Sequence, residues 1–440
     1  MSPTTRRRPF AKPLALAVAC GVAVRVIYIQ FVAPHDVLFP DSGWYFWQAQ
    51  NLRHGLGYVY SAKLGGDTSR KWFAAPSRAT AYWPPGYPIF LAVVQNLFGA
   101  AHRTSQLAGA ATGAATIMLT GLLGRAIAGR SVGILAAFLV ALNPLVIAAD
   151  GSLMSETLYL PLVLLALLLA HRARMRSTIP AWCALGATIG VATLVRQDAL
   201  LLVVFAAVPA AVLSRQPARD LVPKVALGLS ALALVVGPWV VRNAIEVDAP
   251  TISTISSTAP GGANCKVTYS GREIGWWDYT CTHGKLLTEM SEAQYAKRLT
   301  RFGISYAVGH MNRLPVVLAA RFGRTWGFWN PVNEARLEGV ESRNFGWQLF
   351  VWPISLCTLV LGLAGWRRLV AQGRQIAVLV APAAMTTTVT LVGYGNTRFR
   401  GPAECTLAIG AAAVIAGWIR RGYDGQRSSR APRRRVALSK

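Results

Sequence analysis

The chain has 440 residues, 53% of them hydrophobic and only 14% charged, with a formal net charge of +27. A soluble domain usually carries about 25% charged residues, and here many apolar runs of about 20 residues follow one another, which excludes an ordinary soluble protein. Lys and Arg collect in the short breaks between apolar runs and in both tails, so the positive charge reads as membrane topology rather than nucleic-acid binding.

In chain order, Arg6-Arg7-Arg8 and Lys12 precede an apolar run from Leu14 to about Val32. Val18-Ala19-Cys20 weakly resembles a lipoprotein cleavage site, but the run continues well past Cys20, so the segment reads as an uncleaved signal anchor with a cytoplasmic N-terminus. Residues 34–104 are then a first outer loop. It opens on Pro40-Asp41 and an aromatic patch in which Trp44, Trp47, Gln48 and Leu52 fall on one face of a helix. Trp and Tyr favour the lipid–water interface, so this helix is expected to lie along the membrane surface with Asp41 at its N-terminus. Asp41 is there either a helix cap or a catalytic acid. The turn Tyr82-Trp83-Pro84-Pro85-Gly86-Tyr87-Pro88 leads into an apolar piece ending near Gly99, too short to span and therefore interfacial or re-entrant.

Further spans are expected at 105–124, 131–149, 155–171, 179–195, 198–214, 222–241, 348–366, 375–392 and 402–419, about ten with the first. The fold class is thus an all-α polytopic membrane protein. Residues 1–241 form an N-terminal transmembrane module, 242–347 an external loop region and 348–419 the C-terminal transmembrane helices. Residues 420–440 form a disordered basic cytoplasmic tail able to touch anionic lipid. The breaks containing Arg125, Arg130, Arg172, Arg174, Arg176, Arg215, Arg219, Lys224, Arg367, Arg368 and Arg374 fall inside. Cys20, Cys183, Cys357 and Cys405 lie in apolar runs and read as packing residues. Cys265 and Cys281 share the long external loop, where the oxidising side of the membrane would let them form a disulfide. In the same loop Ser291-Glu292-Ala293-Gln294 reads as a capping box, and a second helix runs from about Pro315 to Phe328.

The residues able to do chemistry collect near outer helix ends: Asp41, Glu156, Arg196, Asp198, Arg242, Arg398 and Arg400. Carboxylates can accept a proton from an attacking hydroxyl, and arginines can bind a phosphate through paired donors. Each also has a plainer role. Glu156 suits a helix N-terminus, Arg196 and Asp198 can pair with each other, and Arg242 can snorkel beside Trp239. Arg398 and Arg400 place positive charge outside, against the positive-inside trend, which an anionic ligand or headgroup anchoring would explain.

Asp41 with its aromatic helix, the Trp83–Pro88 turn, Ser155-Glu156-Thr157-Leu158, Leu194-Val195-Arg196-Gln197-Asp198-Ala199-Leu200, Pro238-Trp239-Val240-Val241-Arg242-Asn243 and Arg398-Phe399-Arg400-Gly401-Pro402 follow one another in a recognisable order. The chain resembles the GT-C membrane glycosyltransferases of the protein-mannosyltransferase and aminoarabinose-transferase-like family. In the external loop, Gly262-Ala263-Asn264-Cys265, Tyr269-Ser270-Gly271, Gly275-Trp276-Trp277, Cys281 and Leu318–Gly327 look like the actinobacterial branch. The resemblance implies interfacial jaw helices in the first outer loop and a polyprenyl-phosphate-linked sugar donor. It also implies a glycan, lipid or protein acceptor on the outer face of the plasma membrane, and Asp41 as the catalytic acid. Two positions depart from the family pattern. Trp83 stands where many members have Lys or His, and Ser42 stands where many have a second acid. The donor phosphate then falls to Arg398, Arg400 or Arg242, and a divalent metal stays open as a cofactor. The competing functions are a transporter or lipid flippase that recognises anionic headgroups, and a non-catalytic scaffold.

Overall fold

The computed structural model describes residues 10–34, 40–60, 78–282, 290–340 and 343–430. Arg6-Arg7-Arg8, the linker at 61–77 and the basic residues at 431–440 lie outside the described residues.

The molecule is a helical membrane protein. Helix α1 (Ala11–Phe31) is followed by α2 (Pro40–Arg53) and two short antiparallel strands, β1 (Val59–Tyr60) and β2 (Arg78–Ala79), then α3 (Gly86–Phe98) and α4 (His102–Ala128). Helices α5 (Arg130–Ala141), α6 (Pro144–Asp150), α7 (Glu156–Arg176) and α8 (Ile179–Val195) complete the first half of the bundle. After α9 (Val208–Val212) comes α10 (Ala218–Glu246), packed along α8. The segment after α10 holds α11 (Ile255–Ala263), α12 (Glu292–Gly309), α13 (Leu314–Trp326) and α14 (Pro331–Val340), and the chain returns to the bundle through α15 (Phe345–Ala371), α16 (Ala377–Val392) and α17 (Gly401–Arg430).

The bundle packs through small residues, as expected where lipid offers no hydrophobic drive between helices. Gly186 of α8 and Gly228 of α10 bring their backbones together, and a Cβ on Gly186 would lie 1.8 Å from the Gly228 carbonyl oxygen. Gly365 of α15 meets Gly410 of α17 in the same way, again at 1.8 Å.

Among the described residues, six helices are long and apolar enough to cross a membrane, or seven if α5 and α6 count as one bent span. This differs from the expected ten. The run expected at 131–149 bends by 60° at Asn143-Pro144. There the Asn143 side chain accepts from the Leu145 and Val146 amides and starts a new helix with Pro144 in its first turn. The run expected at 198–214 begins as a 3-10 turn (Gln197–Leu200), widens to a π turn (Val203–Ala207) and only then becomes α9. Pro209 has no amide to donate to Phe205, which accounts for the irregular register ahead of it. The runs expected at 179–195 and 375–392 are apolar helices of 17 and 16 residues. The apolar piece after the Trp83–Pro88 turn is the 13-residue α3, short as expected.

Between α10 and α15 the capping box forms as read: the Gln294 amide donates to Ser291 Oγ at 3.2 Å, and the Ser291 amide donates to Gln294 Oε1 at 3.2 Å. Cys265 and Cys281 are joined by a disulfide with Cα atoms 6.2 Å apart. Glu292, in the first turn of α12, fastens this segment to the stretch after β2 by accepting from Thr80 Oγ1 (2.7 Å), the Ala81 amide (2.9 Å) and Thr254 Oγ1 (2.6 Å). Reducing the disulfide frees a loop whose closure is worth about 3 kcal/mol by the chain-entropy model. Cys265→Ser is therefore expected to lower folded yield and thermal stability while leaving turnover per folded molecule close to wild type. Wild-type stability in the variant would show that the cross-link constrains nothing.

Candidate active site

The site is built around α2. Asp41 stands in the first turn, where the helix dipole favours an acid. The aromatic residues that follow are packed into the protein rather than left open to headgroups. Trp44, Tyr45 and Phe46 are buried, with only Trp47 of the four consecutive aromatics left partly exposed. The physical reason is that α3, the strand pair and α10 supply aromatic partners: Tyr45 meets Trp83 (5.4 Å between ring centroids) and Tyr87 (5.1 Å), Trp44 meets Tyr58 (5.7 Å), and Tyr58 meets Trp239 (4.9 Å). Edge-to-face aromatic pairs bury more area than headgroup contact would and hold α2 rigidly. Trp83, at the position where a base was expected, is part of this wall.

Three other elements bring charges to Asp41. Glu156 opens α7 and is buried. Arg196 lies at the break after α8, and its Nη1 is 2.9 Å from Glu156 Oε1 while its Nε is 3.3 Å from Asp198 Oδ1. Arg398, in a 3-10 turn at Thr397–Arg400, places Nε 3.5 Å from Glu156 Oε1 and Nη2 3.8 Å from Asp41 Oδ2. Glu156 thus sits between two guanidiniums, and Arg398 bridges it to Asp41. Arg196 is further enclosed by the rings of Tyr159 (5.5 Å) and Phe399 (5.6 Å). Burial works against its charge, but Asp198 and Glu156 outweigh burial, so its pKa lies above the ordinary value. Arg398 also donates to the Tyr394 hydroxyl at 3.2 Å.

Asp41 keeps an opening: its side chain is 20% exposed, much as Asp198 is at 19%, against 3% for Glu156. Desolvation pushes its carboxyl up, Arg398 pulls it down, Glu156 pushes it up and Arg196 pulls it down, with the balance at about 6. A carboxyl poised there is ionised at neutral pH yet basic enough to take a proton, as a general base requires.

Of the residues singled out in the sequence, Asp41, Glu156, Arg196, Asp198 and Arg398 come together. Arg242 and Arg400 stand in other networks. Arg242 donates to the carbonyls of Thr80 (2.6 Å) and Tyr58 (2.9 Å) and to Asn243 Oδ1 (3.0 Å), and lies over Trp239 (5.0 Å), bracing the strand pair. Arg400 pairs with Glu404 (3.1 Å) and donates to the Thr325 carbonyl (3.2 Å), and Glu404 also accepts from Asn143 (3.0 Å). Tyr394 was missed by sequence reasoning; its only signal was its place in the outer break, four residues before Arg398. Among the described residues no group of three or more His, Cys, Asp or Glu side chains is placed to hold a metal ion. The acids nearest Asp41 are already paired with arginines, so the donor set does not fit a divalent metal.

Residues 83–241 match the family model described as dolichyl-phosphate-mannose-protein mannosyltransferase. Among solved structures, an apo oligosaccharyltransferase from Archaeoglobus fulgidus superposes with a TM-score of 0.54 at 14% identity, over 97% of this chain and 53% of that one. The oligosaccharyltransferase AglB of Archaeoglobus fulgidus, in complex with an inhibitory peptide and a dolichol-phosphate, gives 0.50 at 12% identity, over 96% and 52%. The chain shares the helical membrane fold of these archaeal proteins. The chain spans about half the length of these archaeal proteins. ArnT from Cupriavidus metallidurans bound to undecaprenyl phosphate is also similar, with a TM-score of 0.44 at 14% identity over 95% of this chain and 80% of that one. No curated protein sequence matches the chain.

Proposed function

We propose that this GT-C protein transfers a sugar from a polyprenyl-phosphate-linked donor to an acceptor hydroxyl on the outer face of the plasma membrane. The observation that carries the reading is the bridge at Arg398, which holds a partly open, elevated-pKa Asp41 beside a buried Glu156–Arg196 pair. The acceptor oxygen attacks the anomeric carbon and its proton passes to Asp41. The bond between the anomeric carbon and the phosphate oxygen breaks, and the polyprenyl phosphate departs carrying the electron pair, with its charge met by Arg398. One displacement of this kind inverts the anomeric centre. Glu156 and Asp198 hold the two arginines in place. Because Arg400 and Arg242 are engaged elsewhere, Arg398 is the phosphate ligand we favour.

The seven spans judged by length and bending, with α8, the Gln197–Val212 segment and α16 as three shorter crossings, make up the ten. That arrangement, with α2 and α3 as jaw helices and both termini cytoplasmic, puts the acid–arginine cluster and residues 242–347 outside. The external-loop motifs support the actinobacterial branch of the family.

The purified protein, given polyprenyl phosphate carrying a labelled sugar, tests the reading. Covalent transfer of label, or slow hydrolysis in the absence of acceptor, supports it. Movement of intact lipid donor across vesicle bilayers without chemical change would instead establish the flippase reading. Arg398→Ala should raise the KM for the donor about 10-fold or more, since a charge-assisted hydrogen bond to phosphate is worth about 1.5–3 kcal/mol. Donor affinity unchanged in this variant would move the phosphate elsewhere.

A further inference from the structure

We infer that the acceptor is a carbohydrate, received on an aromatic shelf of Trp277, Tyr279 and Tyr394 beside the acid–arginine cluster. The inference rests on the glycosyl-transfer reading above and names the substrate class of its acceptor side.

The shelf comes from two segments. Trp277 and Tyr279 belong to the stretch closed by the Cys265–Cys281 disulfide. Tyr394 belongs to the turn between α16 and Thr397–Arg400. The Gly395 amide donates to the Gly275 carbonyl at 2.8 Å and locks the two together. The Tyr394 ring lies 6.4 Å from Trp277 and 5.0 Å from Phe399, and its hydroxyl accepts from Arg398 Nη2, the same nitrogen that lies 3.8 Å from Asp41 Oδ2. Tyr279 lies 6.4 Å from Trp277 on the outer side. A continuous series of contacts therefore runs from the shelf to the acid.

Trp277 is held in one orientation. A Cβ on Gly262 would lie 2.2 Å from its Nε1, 2.4 Å from Cε2 and 2.7 Å from Cδ1, so the indole rests directly on a glycine backbone. The Asp278 amide donates to the Gly262 carbonyl at 3.0 Å and pins the neighbouring backbone. Exposure increases outward: Trp276 is buried, Trp277 is half-buried and Tyr279 is 44% exposed. Rigid, partly exposed aromatic faces suit the C–H face of a sugar ring, because the ring quadrupole attracts weakly positive hydrogens and the polar rim of the sugar stays in water. The same stretch folds in 3-10 turns at Gly271–Glu273 and Tyr279–Thr282 and offers no strand edge of the kind that pairs with an extended peptide.

The full chain in lipid nanodiscs, titrated with mannotriose, with maltotriose and with an acetylated threonine-rich hexapeptide, tests the inference by saturation-transfer NMR. Saturation of sugar-ring protons by at least one trisaccharide is expected. Trp277→Ala should weaken that binding about 5-fold or more, from the worth of one aromatic contact. Trp277→Phe should retain most of it. Gly262→Ala should weaken it as Trp277→Ala does, although it removes no aromatic group. No binding of either trisaccharide, or binding of the peptide that Trp277→Ala abolishes, overturns the inference. Failure of the transfer reading would show separately, as wild-type protein that neither transfers nor hydrolyses the labelled lipid donor, a result that sugar binding does not touch.

Discussion

Asp41→Asn should lower transfer from a purified lipid donor by about 100-fold or more while leaving expression and donor binding close to wild type. The substitution keeps the shape of the side chain and its position in the first turn of α2 but removes the only function that needs a carboxylate. The pH profile provides a second reading of the same group. With the carboxyl at about 6, wild-type turnover should climb as pH rises from about 5 to 7, because the acid must be ionised to accept a proton. The residual activity of Asp41→Asn should lack that limb. Stability should move the other way. The folded value lies above the ordinary 3.8, so the folded chain binds the extra proton between about 4 and 6, and the contribution of Asp41 to stability falls as pH rises through that window. The Asn variant avoids this penalty and should melt at or above the wild-type temperature at pH 7. Near-normal transfer by the variant would make Asp41 a helix-terminal acid only and turn attention to Asp198, since Glu156 is held by two arginines.

The largest effect on folding is expected at a pair within the bundle. Arg25 of α1 and Asp150 at the end of α6 are both fully buried, with Arg25 Nε 2.6 Å from Asp150 Oδ2. Arg25 Nη1 also donates to the carbonyls of Gly21 (3.1 Å) and of Ala141 (3.0 Å), the latter at the end of α5. One guanidinium therefore grips both arms of the 60° bend, and the end of α6 leads directly to Glu156. Gly113 of α4 leaves the room for the pair, since a Cβ there would lie 2.3 Å from Arg25 Nε and 2.5 Å from Asp150 Oδ2. Asp150→Ala strands a buried charge, at a cost of about 3–5 kcal/mol. It should sharply reduce the yield of monodisperse protein and its melting temperature in detergent. Arg25→Leu combined with Asp150→Leu should recover most of that loss, because well-packed apolar side chains often replace a buried ion pair without penalty. A melting temperature unchanged by Asp150→Ala would show that the pair does not hold the bend.

The two largest expectations differ in how far they were legible. Asp41 could be read because its signals are local: an acid after a proline, followed by aromatic residues at helical spacing. Local chemistry also set the capping box at Ser291, the short α3 and the helix beginning near Pro315. Arg25 could not be read, because a single arginine in an apolar run has no meaning until its partner 125 residues away is known. Arg398 and Arg400 show the limit most clearly. Both were expected on the outer side because they share one break between apolar runs. They lie two residues apart in a 3-10 turn, where each residue rotates about 120°, so they project to different sides. One meets Asp41 and Glu156; the other meets Glu404. The sequence by itself determined that this chain is an apolar helical bundle with acids and arginines gathered near helix ends, because hydrophobic length and charge placement are properties of consecutive residues. Which of those charges meet was decided only by the tertiary structure, because the bend at Asn143-Pro144, the phase of the turn at Thr397–Arg400 and the burial of α2 depend on partners distant in the chain.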